Sequence, residues 1–288
     1  MRPLPRLFAV TTDAICRAPD YLARARAIGT SGLHAAIVVR APASTAAEQA
    51  GFATETVAKV GRSDSRTVGP DRGTAQVIVH ARPDLARAVA ADGVQLRRQD
   101  LSPADARAVL GPGWIGVSVP DRAEAEAAIE EGADYLVAGN VFESPSHPGR
   151  PGKGTGWLQE ICSLGRPVVA IGGITPDRAI QVREAGSWGV AAISALWDDP
   201  EPERAARALL APWADPADRG GELQLTVNGE AKRVRNAATM AELLARLELD
   251  PRAVVVELNR RIVRRPELAD TPLRDGDAVE LVHFVGGG

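Results

Sequence analysis

Apolar residues gather into eight short runs along the first two thirds of the chain: RLFAVTT, LHAAIVVR, AQVIVH, GVQLR, WIGVS, DYLVAG, PVVAIGG and WGVAAIS. These runs are rich in Val, Ile and Ala and lack polar alternation, the pattern of strands buried on both faces in a parallel sheet. Between them lie Ala-rich, charge-studded segments at helical spacing, among them PDLARAVAAD, SPADARAVLG, DRAEAEAAIEEGA and TPDRAIQVREAG. APASTAAEQAGF predicts the second helix, and GRSDSRTVGPDRG behind it a polar loop. Eight such units in about two hundred residues predict a closed α/β (β/α)8 TIM barrel rather than an open doubly wound sheet. No Gly-x-Gly-x-x-Gly follows the first strand, which weakens a dinucleotide fold further.

The pattern changes after EPERAARALLAPW, the last barrel helix. ADPADRGG has linker character. ELQLTVNGEAKRVR then alternates apolar and polar residues around Asn228-Gly229, a strong hairpin signal. TMAELLARLEL puts Met240, Leu243, Leu244 and Leu247 on one helical face, with Thr239 as N-cap and Glu242 at the capping-box position. AVVVELNRRIV reads as a third strand and TPLRDGDAVELVHFV as a turn and a fourth. The order ββαββ predicts a small α+β domain with its helix on one sheet face. The expected division is 1–212 for the barrel, 213–221 for the linker and 222–288 for the small domain.

Composition narrows the chemistry. A hydrophobic fraction of 45% suffices for packed cores, and a formal charge of -3 with mixed signs gives no reason to expect nucleic acid or an anionic membrane as partner. No run reaches transmembrane length or has the form of a signal peptide, so cytoplasm is the expected location. The two cysteines, Cys16 and Cys162, form neither a disulfide framework nor a zinc set and read as packing residues. His34, His80, His147 and His283 lack the i, i+4 spacing of helical metal ligands, so no metal site is expected.

The chain closes on HFVGGG. Taken alone, Gly286, Gly287 and Gly288 are either a frayed end or a segment thin enough to thread into an enclosed site. Val256, Leu258, Leu281 and Phe284 form an apolar strand face that is core or docking patch, with core favoured. His283 reads as a surface strand residue.

With LTVNGE, VVVELNRRIVRR and TPLRDGDAVELVHFVGGG in order, the small domain resembles the ubiquitin-like (β-grasp) sulfur carriers, specifically the thiamin sulfur-carrier family. The resemblance implies that the Gly288 carboxylate is adenylated by an ATP-using sulfur-transfer enzyme, becomes a thiocarboxylate and donates sulfur to a thiazole synthase. Gly286 and Gly287 form its stalk, leaving no side chain beside the reacting carbonyl. The third glycine departs from the family's minimal two.

In the barrel, IGGI places Gly172 and Gly173 after strand seven, and Ser194 and Ala195 follow strand eight, where backbone N–H groups can hold a phosphate. The stretch GADYLVAGNVFESPSHPGRPGKGTGWLQEI, continuing through PVVAIGGITPDRA to GSWGVAAISALW, resembles the family of thiamin phosphate synthase and thiazole tautomerase. GVQLRRQDL and WIGVSV, which contains Ser118, match upstream. The synthase motifs are incomplete. The family's Asn-Asp pair reads His80-Ala81, its Gln-x-Arg-x-Lys reads Val38, Arg40 and Pro42, and His147 stands for a lysine, whereas Asp100 is retained. The resemblance therefore implies a tautomerase-type barrel acting on thiazole phosphate carboxylate in preference to a synthase, with no magnesium and no tightly bound cofactor. The tautomerase histidine is Asn140 here, which cannot exchange a proton near neutral pH. His80 is the expected replacement base, because imidazole ordinarily titrates near neutrality, or else a filler of the barrel mouth. His147 and Lys153 are a ligand clamp or solvated loop residues. A noncatalytic binding barrel and an active synthase are the alternatives.

Overall fold

The computed structural model describes residues 3–30, 35–60, 75–144, 149, 151–213, 223–234, 239–247, 249–268, 271, 273 and 276–283. The chain divides into two compact units, Met1–Trp213 and Ala214–Gly288.

In the first unit eight parallel strands close into a barrel in sequence order. They are β1 (Leu7–Val10), β2 (Ala35–Val39), β3 (Gln76–His80), β4 (Gly93–Leu96), β5 (Trp114–Val119), β6 (Tyr135–Ala138), β7 (Val168–Ile171) and β8 (Gly189–Ala192). Closure is made by β1, which pairs with both β2 and β8. Around them run α1 (Asp13–Arg17), α2 (Tyr21–Thr30), α3 (Ala46–Lys59), α4 (Pro83–Ala88), α5 (Pro103–Leu110), α6 (Arg122–Glu130), α7 (Gly154–Cys162), α8 (Pro176–Glu184), α9 (Ser194–Trp197) and α10 (Pro202–Leu210). The segment expected as the second helix is α3, started by a Thr45–Glu48 capping box. The polar loop expected behind it lies outside the described residues.

Strand periodicity sorts the core into two shells. Leu7, Ala9, Ile37, Val39, Val77 and Leu96 point outward and pack under the helices. Phe8, Val10, Ala36, Val38, Ile78, Tyr135, Val137, Val169 and Ala191 fill the barrel interior. Gly116 pairs with Tyr135 across β5 and β6, and a Cβ on Gly116 would lie 2.1 Å from the Tyr135 ring. The missing side chain makes room for the Tyr135 ring, whose centroid is 5.2 Å from that of Phe8. The interior is thus a packed plug, so the open space lies at the two ends.

The second unit holds β9 (Leu223–Val227), β10 (Glu230–Val234), α11 (Met240–Arg246), β11 (Val254–Leu258), β12 (Arg261–Val263) and β13 (Ala278–His283). Asn228 and Gly229 take φ of 51° and 80° and turn β9 into β10, the geometry a two-residue hairpin requires. Thr239 and Glu242 form the capping box of α11, and Met240, Leu243 and Leu244 are fully buried against the sheet. The sheet order is β10-β9-β13-β11-β12, with β13 parallel to β9 at its centre.

One expectation is corrected here. AVVVELNRRIV is two strands, because Asn259 and Arg260 adopt φ of 50° and 68° and fold β11 back onto β12. The element order is therefore ββαβββ. Val256 and Leu281 are core, Leu258 is partly buried, and Phe284 lies outside the described residues. Among the described residues no helix is long and apolar enough to cross a membrane.

Candidate functional site

A cavity of about 1050 Å3 opens at the C-terminal ends of the barrel strands. One wall is backbone. Gly172 and Gly173 follow β7 with φ of 104° and 63°, conformations that side chains resist. A Cβ at Gly173 would sit 2.4 Å from the Glu143 carbonyl oxygen, and one at Gly172 would sit 2.8 Å from the Asn140 Cα. Arg178 fixes this loop by donating to the Gly173 carbonyl at 2.7 Å while its guanidinium lies over the Phe142 ring. Ser194 and Ala195 open α9 across the cavity, and no side chain caps that end. None of the described hydrogen bonds uses the N–H groups of Gly172, Gly173, Ser194 or Ala195. Such N–H groups around one concavity can hold a phosphate.

The facing wall is cationic. Arg40 follows β2, its backbone bracketed by the Thr11 hydroxyl, which accepts from Arg40 N at 2.8 Å and donates to Arg40 O at 3.0 Å. His80 ends β3. Burial, then the charges of Arg40 and Arg97, push its pKa down to about 4, although Asp100 opposes them. The expectation of a base titrating near neutrality is therefore corrected: His80 is a neutral imidazole at physiological pH, able to donate or accept a hydrogen bond. Asp100 has a side chain only 8% exposed, and it accepts from Arg97 N at 2.7 Å and Arg97 Nη2 at 2.8 Å. Burial raises its pKa, but the hydrogen bonds and charge of Arg97 outweigh this and hold it below the usual carboxylate range. His80 and Arg97 also line a side cavity of about 320 Å3 with Pro42, Gln49, Ala81 and Asp100.

The resemblance to the thiamin phosphate synthase family implies a magnesium ion, and the residues of this mouth fit it poorly. Ala81 offers no side-chain donor, the Asp100 oxygens are engaged by Arg97, and among the described residues no three His, Cys, Asp or Glu side chains come together.

Other expected residues have structural work to do. The Lys153 ammonium donates to the Pro120 carbonyl and to the Gly139 carbonyl at 3.2 Å, and sits 4.2 Å from the Trp157 ring centre. Burial lowers its pKa against the opposing charge of Asp121. It ties the loops after β5 and β6 together while lining the cavity. Asn140 lines the cavity too, its carbonyl accepting from Lys153 N at 3.1 Å. Ser118 accepts from Gln95 Nε2 at 3.1 Å on the floor. His147 and the tail residues Gly286, Gly287 and Gly288 lie outside the described residues. Sequence reasoning missed Arg97, although its spacing of three from Asp100 in LRRQD is a legible ion-pair signal, and it missed Gln95, whose apolar-run setting disguises an inward-facing amide.

Comparison with known proteins follows the two units. Residues 7–196 match the family described as thiamine monophosphate synthase, and residues 224–288 match the ThiS family. A thiamine-phosphate synthase of Thermus thermophilus is 45% identical over 130 residues, which are 44% of this chain and 63% of that protein. The bifunctional protein ThiM/ThiE of Symbiobacterium thermophilum is 47% identical over 143 residues, 48% of this chain and 30% of that protein. The chain thus spans less than two thirds of the length of these curated relatives. The structure of thiamine phosphate pyrophosphorylase from Pyrococcus furiosus superposes with a TM-score of 0.60 at 30% identity, covering 72% of this chain and 94% of that one. These relatives overturn the preference for a tautomerase over a synthase, which rested on single motif positions, because the named similarities all lie with the synthase. The chain belongs to the thiamine monophosphate synthase family through its barrel and carries a ThiS-family unit after it in the sequence, which places it in thiamine biosynthesis.

Proposed function

We propose that the barrel performs a thiamine-phosphate synthase-type condensation. The nitrogen of a phosphorylated thiazole forms a bond to the methylene of a diphosphate-activated pyrimidine, the methylene–oxygen bond breaks, and pyrophosphate leaves with that electron pair. The observation that carries this reading is the two-sided cavity: backbone N–H groups of Gly172, Gly173, Ser194 and Ala195 on one wall, Arg40 and Arg97 on the other. One phosphate-bearing substrate needs the first wall, and the charge developing on a leaving diphosphate is met by guanidiniums on the second. His80, neutral in the empty site, lies beside them and can donate a hydrogen bond to a departing oxygen. The test is pyrophosphate release from the purified chain given both substrates, with Arg40→Ala expected to lower the rate by at least tenfold.

A second reading is favoured by a specific observation, the absence of a free carboxylate where Ala81 and the Arg97-bound Asp100 stand. In it the barrel binds thiazole phosphate without turnover. Calorimetric binding of thiazole phosphate with no pyrophosphate release would select it.

For the ThiS-family unit the reading is a sulfur carrier, with ATP consumed by an adenylating partner and sulfur passed from a Gly288 thiocarboxylate to a thiazole synthase. Intact-mass measurement after incubation with such a partner and a sulfur donor should show one oxygen replaced by sulfur at Gly288. Residues 214–221 would act as a tether, raising the effective concentration of one activity near the other to about the millimolar scale. Unchanged coupled thiazole formation after cleavage of that segment, at low protein concentration, would remove this role.

A further inference from the structure

A different cluster occupies the opposite end of the barrel. Arg6 immediately precedes β1, Arg166 precedes β7 by two positions, Arg183 lies in the last turn of α8, and Trp188 immediately precedes β8. Together with Trp213 they line a cavity of about 510 Å3 at the N-terminal ends of the strands. Chain elements far apart in sequence thus deliver three guanidiniums to one concavity.

Counter-charges are missing there. Among the described residues no ion pair involves Arg6, Arg166 or Arg183. Several other arginines of the same barrel are paired, as in Arg24 with Asp20, Arg107 with Asp134 and Arg207 with Glu203. Arg6 is held rigidly, with its guanidinium 4.0 Å from the Trp188 ring centre and Nη1 donating to the Trp188 carbonyl at 2.7 Å. Burial, and then the charge of Arg183, lowers its pKa, so the two cations feel each other. The Arg166 Nε is shielded from solvent and has no hydrogen-bond partner. A buried donor left unpaired and like charges gathered without compensation are both unfavourable, and a bound anion relieves both.

We propose that this cavity is a binding site for a phosphate-bearing small anion, separate from the site at the other end of the barrel. Guanidinium forks match the tetrahedral oxygens of a phosphate, and three of them suit a dianion better than a carboxylate. The cavity volume exceeds that of a free phosphate and leaves space for an ester substituent. The site shares no residue with the catalytic mouth, so it stands or falls independently of the condensation proposed above.

The test is calorimetric titration of the full chain with inorganic phosphate, and in a parallel arm with adenosine monophosphate, at constant ionic strength. The wild type should bind two phosphates per chain. Arg183→Glu, a change at an exposed position, should remove one of them, with at least a tenfold loss of affinity, and leave the other intact. The Arg166→Gln variant should do the same. Tighter binding of the monophosphate than of phosphate at this site would identify the ligand as an ester, and equal binding would identify it as free phosphate. Phosphate binding that is undiminished in a folded Arg183→Glu chain, whether the wild type shows one site or two, would overturn the proposal.

Discussion

Replacing His80 by Asn should make the barrel less sensitive to acid, and the size of the effect follows from its surroundings. An imidazole in the unfolded chain titrates near 6.5, whereas in the folded barrel His80 is pushed down to about 4 by burial and by Arg40 and Arg97. Between these values the unfolded chain holds a proton that the folded chain has shed. Stability therefore rises with pH across that window, is complete above about 6.5 and is largely lost by about pH 4. A separation of about 2.5 units corresponds to about 3 kcal/mol lost by the wild type and kept by His80→Asn. Asp100 does not blur the comparison. Its folded pKa is held low, so its contribution is present above its unfolded value near 3.8 and is lost only as the pH falls below that. The assay is urea unfolding between pH 4.5 and 7.5, followed by tryptophan emission, which reports the barrel alone because Trp114, Trp157, Trp188, Trp197 and Trp213 all lie within it. Parallel stability profiles for wild type and His80→Asn, or a His80 resonance titrating near 6.5 in the folded protein, would refute the reasoning.

Three further outcomes can be measured directly. Gly173→Ala should weaken binding of thiazole phosphate by at least tenfold in calorimetry, since the new Cβ meets the Glu143 carbonyl oxygen at 2.4 Å and the φ of 63° resists it. Gly116→Ala should lower the urea midpoint of the tryptophan transition by the equivalent of about 1–3 kcal/mol, because the methyl overlaps the Tyr135 ring within the plug. Thr239→Ala should cost the second unit about 1 kcal/mol by removing the α11 cap, seen as earlier loss of far-ultraviolet circular dichroism without a change in tryptophan emission.

The barrel was legible because its strands are buried on both faces, which writes them as uninterrupted Val/Ile/Ala runs, and because glycine and cap residues mark the ends of each unit. The hairpin at Asn228-Gly229 was legible for the same chemical reason, since its residues are ones that accept positive φ. The turn at Asn259-Arg260 was not, because arginine carries no turn preference and the flanking residues keep the strand pattern going. At the mouth, the backbone-walled loop of Gly172 and Gly173 could be read from glycines following a strand. The protonation state of His80 could not, since Arg97 reaches it from β4 and Arg40 from β2, and such proximity is a property of barrel closure rather than of any local motif. Single motif positions also pointed to the wrong reaction, since Ala81 and Pro42 say what is missing and nothing about what replaces it.

That replacement has a chemical consequence. A metal-dependent mouth places carboxylates around a cation, so the charge that meets a diphosphate arrives with the ion. In the proposed condensation that charge would be supplied by Arg40 and Arg97, and the carboxylate of Asp100 holds Arg97 in place. Burial is the larger cause of the low His80 pKa and would remain, but an arriving anion would cancel the part due to Arg40 and Arg97 and make the imidazole more basic. Proton uptake on binding, read as a dependence of the calorimetric heat on the ionisation enthalpy of the buffer below pH 6.5, should therefore accompany diphosphate and should be absent in His80→Asn. Under the proposed condensation, such coupling would put a protonated His80 beside the leaving group only once the substrate is in place.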